Sequence, residues 1–188
     1  MPRIVIGISG ASGAIYGIRA LETLREIPDI ETHLVLTRAA RLTISQETSW
    51  RVEDVKALAT VAYSPDDIGA PIASGSFPTA GMLIAPCSVK TLSAIAYCYS
   101  SNLLGRAADV HLKEGRPVVL LFRETPLHRG HIRLMQIAAE NGAVIMPPMP
   151  AFYSQPQTVD DIVNGIVGRA LLRLGIENSL YHQWGGEK

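Results

Sequence analysis

The chain has little cysteine, no net charge and no long apolar run, and each shortage removes a class of protein. Cys87 and Cys98 lie eleven positions apart, with neither a CxxC spacing nor a neighbouring histidine. That pattern suggests no disulfide framework and no zinc site, and a reducing cytoplasm fits it best. The 17 Lys and Arg balance 17 Asp and Glu, so no global field draws the protein toward nucleic acid or an anionic membrane. Any anion it binds must be held by local groups. No apolar stretch approaches the roughly 20 residues that span a bilayer. After Arg3 a short apolar run gives way at once to Gly and Ser, so no secretory leader is expected.

What is present is apolar. Hydrophobic residues make up 47% of the chain and charged residues 18%, more apolar than a soluble monomer needs, which predicts a homo-oligomer whose subunits cover part of one another. A chain of 188 residues buries a core without metals or disulfides, and one domain over 1–188 is expected.

Short buried strands are read at Ile4–Ile8, Thr32–Thr37, Gly81–Ala85, Val118–Phe122 and Ala143–Met146. Helical patterns fall at Ala14–Ile27, Ala39–Glu47, Ser88–Tyr97 and Leu103–Glu114. Two more run from Thr125, with Pro126 at the first helical position, to Asn141, and from the Thr158 cap through Val159–Leu174. Between Arg51 and Ser76 the pattern is poor, broken by Pro65, Gly69, Pro71 and Gly75. Alternating strands and helices predict an α/β fold with a parallel sheet between helices, and ligands in such sheets bind beyond the carboxyl ends of the strands.

Two strand-end loops suit a phosphate. Ser9-Gly10-Ala11-Ser12-Gly13-Ala14 opens a helix, where free amides and the helix dipole favour an anion, although a tight turn needing small residues gives the same pattern. The glycines depart from GxGxxG and no acid ends the second strand at Thr37, which disfavours NAD. Pro86-Cys87-Ser88-Val89-Lys90-Thr91 is the second loop, with Ser88 and Thr91 on one helical turn; an N-cap at Ser88 explains part of it. With Thr37 closing a third strand, a mononucleotide flavin fits better than a dinucleotide.

Charged groups near these ends read two ways. Arg106 and Lys113 point the same way about two turns apart on one helix, with Asp109 between them, and a solvated ion-pair face gives the same pattern. Arg123 and Glu124 directly follow a buried strand, where chemistry usually sits. Arg169 borders the apolar stripe of the last helix, where snorkelling accounts for it. Spacing gives no argument for Glu47 or Tyr153. His128 and His131 are three apart, yet no third ligand is evident, so no metal is assigned.

Gly10-Ala11-Ser12-Gly13-Ala14, Pro86-Cys87-Ser88, Asn102-Leu103, Arg106-Ala107-Ala108-Asp109, Arg123-Glu124-Thr125-Pro126-Leu127 and Gly142-Ala143-Val144-Ile145-Met146-Pro147 occur in this order. With Phe152-Tyr153, Gln155-Pro156-Gln157, Arg169 and Trp184-Gly185, the chain resembles the UbiX-type flavin prenyltransferases, formerly labelled phenylacrylic acid or 3-octaprenyl-4-hydroxybenzoate decarboxylases. The resemblance implies a Rossmann-like three-layer fold and a homododecamer with FMN between subunits. There a dimethylallyl group from dimethylallyl phosphate joins the reduced flavin, and the product serves a separate UbiD-type decarboxylase. It further implies that Gly10, Ala11, Ser12, Thr37, Ser88, Thr91 and Arg123 hold FMN. Arg106, Lys113, Arg123, Tyr153 and Arg169 would surround the prenyl phosphate, and Ser12, Glu47 and Glu124 would move protons. Ile68 stands where some relatives carry tryptophan. The rival readings are an FMN-dependent decarboxylase of the cysteine-decarboxylase type and a non-enzymatic FMN-binding subunit. A serine hydrolase fails, because Ser12 is in no GxSxG elbow.

Overall fold

Alternation along the strands builds two cores, one on each face of a single sheet. The computed structural model describes residues 1–181, 183 and 185; Trp184, part of the resemblance above, lies outside them. The elements run β1 (Arg3–Ile8), α1 (Ala14–Arg25), β2 (Glu31–Leu36), α2 (Arg38–Glu47), α3 (Val52–Ala57), β3 (Val61–Tyr63), β4 (Gly81–Cys87), α4 (Val89–Ala96), α5 (Leu103–Lys113), β5 (Val118–Phe122), α6 (Arg129–Glu140), β6 (Val144–Ile145) and α7 (Val159–Arg173). All strand pairs are parallel and the sheet order is β3-β2-β1-β4-β5-β6. This is the α/β Rossmann-like fold expected.

Ile4, Ile6 and Ile8 face α1, α2 and α7, while Val5, Met82, Ile84 and Leu120 face α4, α5 and α6. Period two in the strands thus sends successive side chains to opposite layers. Ile6 stands in register between Leu34 and Leu83, all three fully buried, and each such side chain contributes about 1.5–3 kcal/mol of burial.

The structure revises three boundaries. The helix expected from Thr125 begins instead at Arg129. The His128 ring accepts the Gly130 amide at 3.0 Å and caps α6, whereas the Thr125 amide donates to Glu124 Oε1 at 2.9 Å, which leaves 125–128 as a turn. Strand β4 runs past Ala85 through Pro86 to Cys87, because the register shifts between Ile84 and Cys87 and the proline needs no ladder donor there. Thr37 lies outside β2 and caps α2, its hydroxyl accepting the Ala40 amide at 3.1 Å. The poorly patterned stretch from Arg51 holds the short α3 and the half-exposed edge strand β3.

Candidate functional site

Strand order reverses between β1 and β4, so the chain leaves their carboxyl ends in opposite directions and a crevice opens between the two loops. Ser9, fully buried, fastens one loop to the other. Its hydroxyl donates to the Pro86 carbonyl at 2.8 Å and accepts the Ser88 amide at 2.8 Å. Sequence reasoning passed over Ser9; the available signal was a lone polar residue ending an apolar strand.

Beyond Ser9 the chain turns through Gly13 at φ 102°, a left-handed conformation that costs a residue with a Cβ, and enters α1. The Gly13 amide donates to Glu47 Oε2 at 2.8 Å. Glu47, from the last turn of α2, therefore holds the first turn of α1 by its positive dipole end, one residue from the exposed Ser12. Across the crevice Ser88 caps α4, its hydroxyl accepting the Thr91 amide at 3.3 Å and donating to Thr91 Oγ1 at 3.2 Å.

These ends enclose a cleft of about 1160 Å³ whose lining includes Gly10, Thr37, Ser88, Thr91 and Glu124, with Tyr97 and Tyr99 as aromatic wall. Its polar lining includes the N-terminal ends of α2 and α4 together with Asp66, Asn102 and Glu124, and Val89, Ala94 and the two tyrosines make an apolar flank. Such an arrangement accepts a flat aromatic ligand carrying an anionic tail. Asp66 at its rim pairs with Arg38 at 2.8 Å, and Ile68 nearby in the chain is exposed.

Arg123 leaves β5 with its amide bonded to the Cys87 carbonyl at 3.0 Å. Burial pushes the Tyr16 phenol up, and the Arg123 charge pulls it back down, which places that guanidinium near the first turn of α1. Tyr153 and Arg169 come together elsewhere. Tyr153 Oη lies 2.8 Å from Tyr181 Oη, and the Arg169 guanidinium lies 5.3 Å from the Tyr181 ring centre. Tyr181 is the other residue that sequence reasoning missed.

Of the expected site residues, Ala11, Ser12, Glu47, Arg106, Lys113, Arg123, Tyr153 and Arg169 do not line this cleft, and Arg106 and Lys113 are engaged well away from it. Arg106 bonds Asp109 at 2.9 Å and the Ala73 carbonyl at 3.2 Å. Lys113 pairs with Glu114 beside Gly75, near the amino ends of the strands.

The strand order and the cleft at its reversal point define the class: a Rossmann-like α/β protein. The Flavoprotein family model matches residues 1–171. Flavin prenyltransferase UbiX of Escherichia coli (strain K12) is 57% identical over 188 residues, covering 99% of this chain and 100% of that protein. Among solved structures, AnUbiX (PadA1) in complex with FMN and dimethylallyl pyrophosphate superposes with a TM-score of 0.97 at 42% identity, covering 100% of this chain and 99% of the other. A dodecameric FMN-dependent UbiX-like decarboxylase from Escherichia coli O157:H7 gives 0.95 at 47% identity, covering 98% and 100%. The chain belongs to the flavoprotein family and, within it, to the UbiX flavin prenyltransferases.

Proposed function

We propose that the chain joins the dimethylallyl group of dimethylallyl phosphate to reduced FMN, and that a separate UbiD-type decarboxylase receives the prenylated flavin. The observation that carries this reading is identity with a flavin prenyltransferase along the whole chain. The cleft supports it, since its donor set suits a mononucleotide. Thr37, Ser88 and Thr91 offer hydroxyls at two helix N-termini, and Gly10 and Ala11 bring the backbone of the first loop. The rival of the cysteine-decarboxylase type has support from fold alone, since solved decarboxylases of that kind are 14–15% identical.

Reduced FMN supplies the electron-rich ring that accepts the prenyl group. The allylic carbon–oxygen bond breaks and its electron pair leaves with phosphate, so the protein must stabilise a departing dianion and shelter an allylic cation. Arg123, Arg169 and Tyr153 supply positive charge and a hydroxyl for the phosphate, and Glu124 at the cleft wall delivers its proton. Ser12 would accept the proton released from flavin N5 while passing its own hydroxyl proton to the Glu47 carboxylate, which the Gly13 amide holds one residue away. Tyr97 and Tyr99 keep water from the cation.

Anaerobic incubation with reduced FMN and dimethylallyl phosphate, followed by mass spectrometry of the released flavin, should show the added prenyl mass. Arg169→Ala should cut the yield by about 10²–10³-fold, the usual cost of one lost transition-state contact. Decarboxylation of an aromatic acid by this chain alone, with no change in flavin mass, would overturn the reading. The product should also activate an apo UbiD-type decarboxylase.

Arg106 and Lys113 complete the phosphate site from a neighbouring subunit of a cytoplasmic homododecamer. Mixing inactive Lys113→Ala with inactive Ser12→Ala subunits, after reversible dissociation, then restores part of the activity. Mixtures that stay inactive while reassembling fully would remove the shared site.

A further inference from the structure

The chain after α7 does not simply run off the helix. Ile176 bonds back to the Leu171 carbonyl, and the segment then crosses α7 at Gly168. A Cβ on Gly168 would stand 2.8 Å from the Tyr181 amide nitrogen and 2.9 Å from Leu180 Cβ, so only glycine admits this crossing. Asn178 locks it, donating to the Gly168 carbonyl at 3.0 Å and accepting the Leu180 amide at 3.1 Å. The crossing delivers Tyr181 to a point beside Arg169, the residue following the glycine notch.

There the phenol has two partners that belong to different elements. Its ring lies under the Arg169 guanidinium of α7, and its hydroxyl meets that of Tyr153 in the short 3-10 turn Phe152–Ser154. That bond is also the main reason the Tyr153 phenol is held above its ordinary range, while Arg169 pulls the other way. A pocket of about 330 Å³ opens alongside, with Tyr153, Asn164, Gly165 and Tyr181 in its wall. Arg169 is exposed and has many rotamers of its own; tyrosine has two side-chain torsions and makes a stiff platform.

We infer that Tyr181 is the positioning residue for the phosphate end of the site, fixing the Tyr153 hydroxyl by a hydrogen bond and the Arg169 guanidinium by its ring. This rests on the reading above that Tyr153 and Arg169 receive the prenyl phosphate. Tyr181 itself need not touch substrate. Its effect is to present two groups from separate elements in one geometry before the phosphate arrives.

The test compares Tyr181→Phe, which keeps the ring, Tyr181→Leu, which loses ring and hydroxyl, and Arg169→Ala. Each is measured for kcat/KM with dimethylallyl phosphate, for FMN affinity by fluorescence quenching, and for melting temperature. The phenylalanine variant should lose about fivefold in kcat/KM and the leucine variant about thirtyfold, as one hydrogen bond and then a cation–π contact are removed. FMN affinity and melting temperature should match the parent in the phenylalanine variant. If Arg169→Ala is impaired while both Tyr181 variants equal the parent, this inference falls and the phosphate reading stands. If Arg169→Ala equals the parent, the phosphate reading falls and takes the inference with it. A phenylalanine variant that loses FMN affinity and melts early in proportion to its activity would assign Tyr181 to folding, which also overturns the inference.

Discussion

Replacing Ser9 with alanine tests whether the two loops of the crevice are joined through a single hydroxyl. The change removes one oxygen and leaves almost no cavity, so packing contributes little. The Pro86 carbonyl keeps the Ser9 amide as donor at 3.2 Å, but the half-buried Ser88 amide loses its 2.8 Å acceptor. A half-buried amide left without a partner costs about 1 kcal/mol, the low end for an orphaned donor, and at that cost a domain of this size melts roughly 2–4 °C lower. Ser88 also caps α4, so FMN affinity should fall about tenfold as that helix end loses its tether. Thermal melting by circular dichroism and flavin fluorescence titration read the two effects. Ser45→Ala is the control, since its exposed hydroxyl donates to the nearby Leu42 carbonyl at 2.9 Å and its loss should stay within about 0.5 kcal/mol. If Ser9→Ala melts with the control and binds FMN like the parent, the loops are held by something other than Ser9.

Glu47→Gln keeps an oxygen for the Gly13 amide, so it should melt like the parent yet prenylate slowly, whereas Glu47→Ala should lose both; equal activity of the glutamine variant would remove the proton-transfer role. His111 is buried with its ring nitrogens on the Ala107 carbonyl and Thr79, and burial, with the Arg116 charge, holds its pKa below the ordinary 6.5. The unfolded chain then binds the extra proton first, so stability is full above about pH 6.5 and falls below it. Denaturant midpoints against pH should show this slope, and His111→Gln should reduce it, with the similarly depressed His33 retaining the remainder. Burial pushes the Cys87 thiol far up, so iodoacetamide should leave it unmodified until denaturant is added, as peptide mass mapping would show.

The parts of the site that were legible in the sequence are the local ones. A strand tip followed by a cap residue is written within a few positions, which is why the Gly10 loop, Thr37 and Ser88 stood out. Ser9 was marked only as a polar residue ending an apolar strand, and its role was not legible, because its bond to Ser88 joins residues 79 positions apart. Tyr181 escaped for a similar reason: its place depends on a notch at Gly168 in another element. Local rules also misled, most clearly at the start of α6. Thr125-Pro126 has the composition of a helix start, yet the His128 ring takes that task and the helix begins a turn later. The edge strand β3 stayed hidden because it is three residues long and none of them is fully buried.

Arg106 and Lys113 show what spacing can and cannot decide. Seven residues apart on α5, they share a face, as the sequence indicates, but spacing does not say toward which end of the sheet that face leads. The helix runs antiparallel to the strands, starting at Asn102 on the rim of the cleft and ending where Lys113 meets Glu114 and Gly75. Eleven residues rise about 16 Å, so Lys113 stands at the far end of the layer from its own cleft. On the proposed reading, a lysine there would meet the phosphate in the cleft of an adjacent copy. The surface favours such an arrangement: Tyr97 and Tyr99 at the cleft rim are 61% and 69% exposed, and Met149 and Phe152 are each 73% exposed, more large apolar side chain than a lone subunit would leave in water. In the proposed assembly a chain without net charge could surround a dianion, because the cations need not come from one copy.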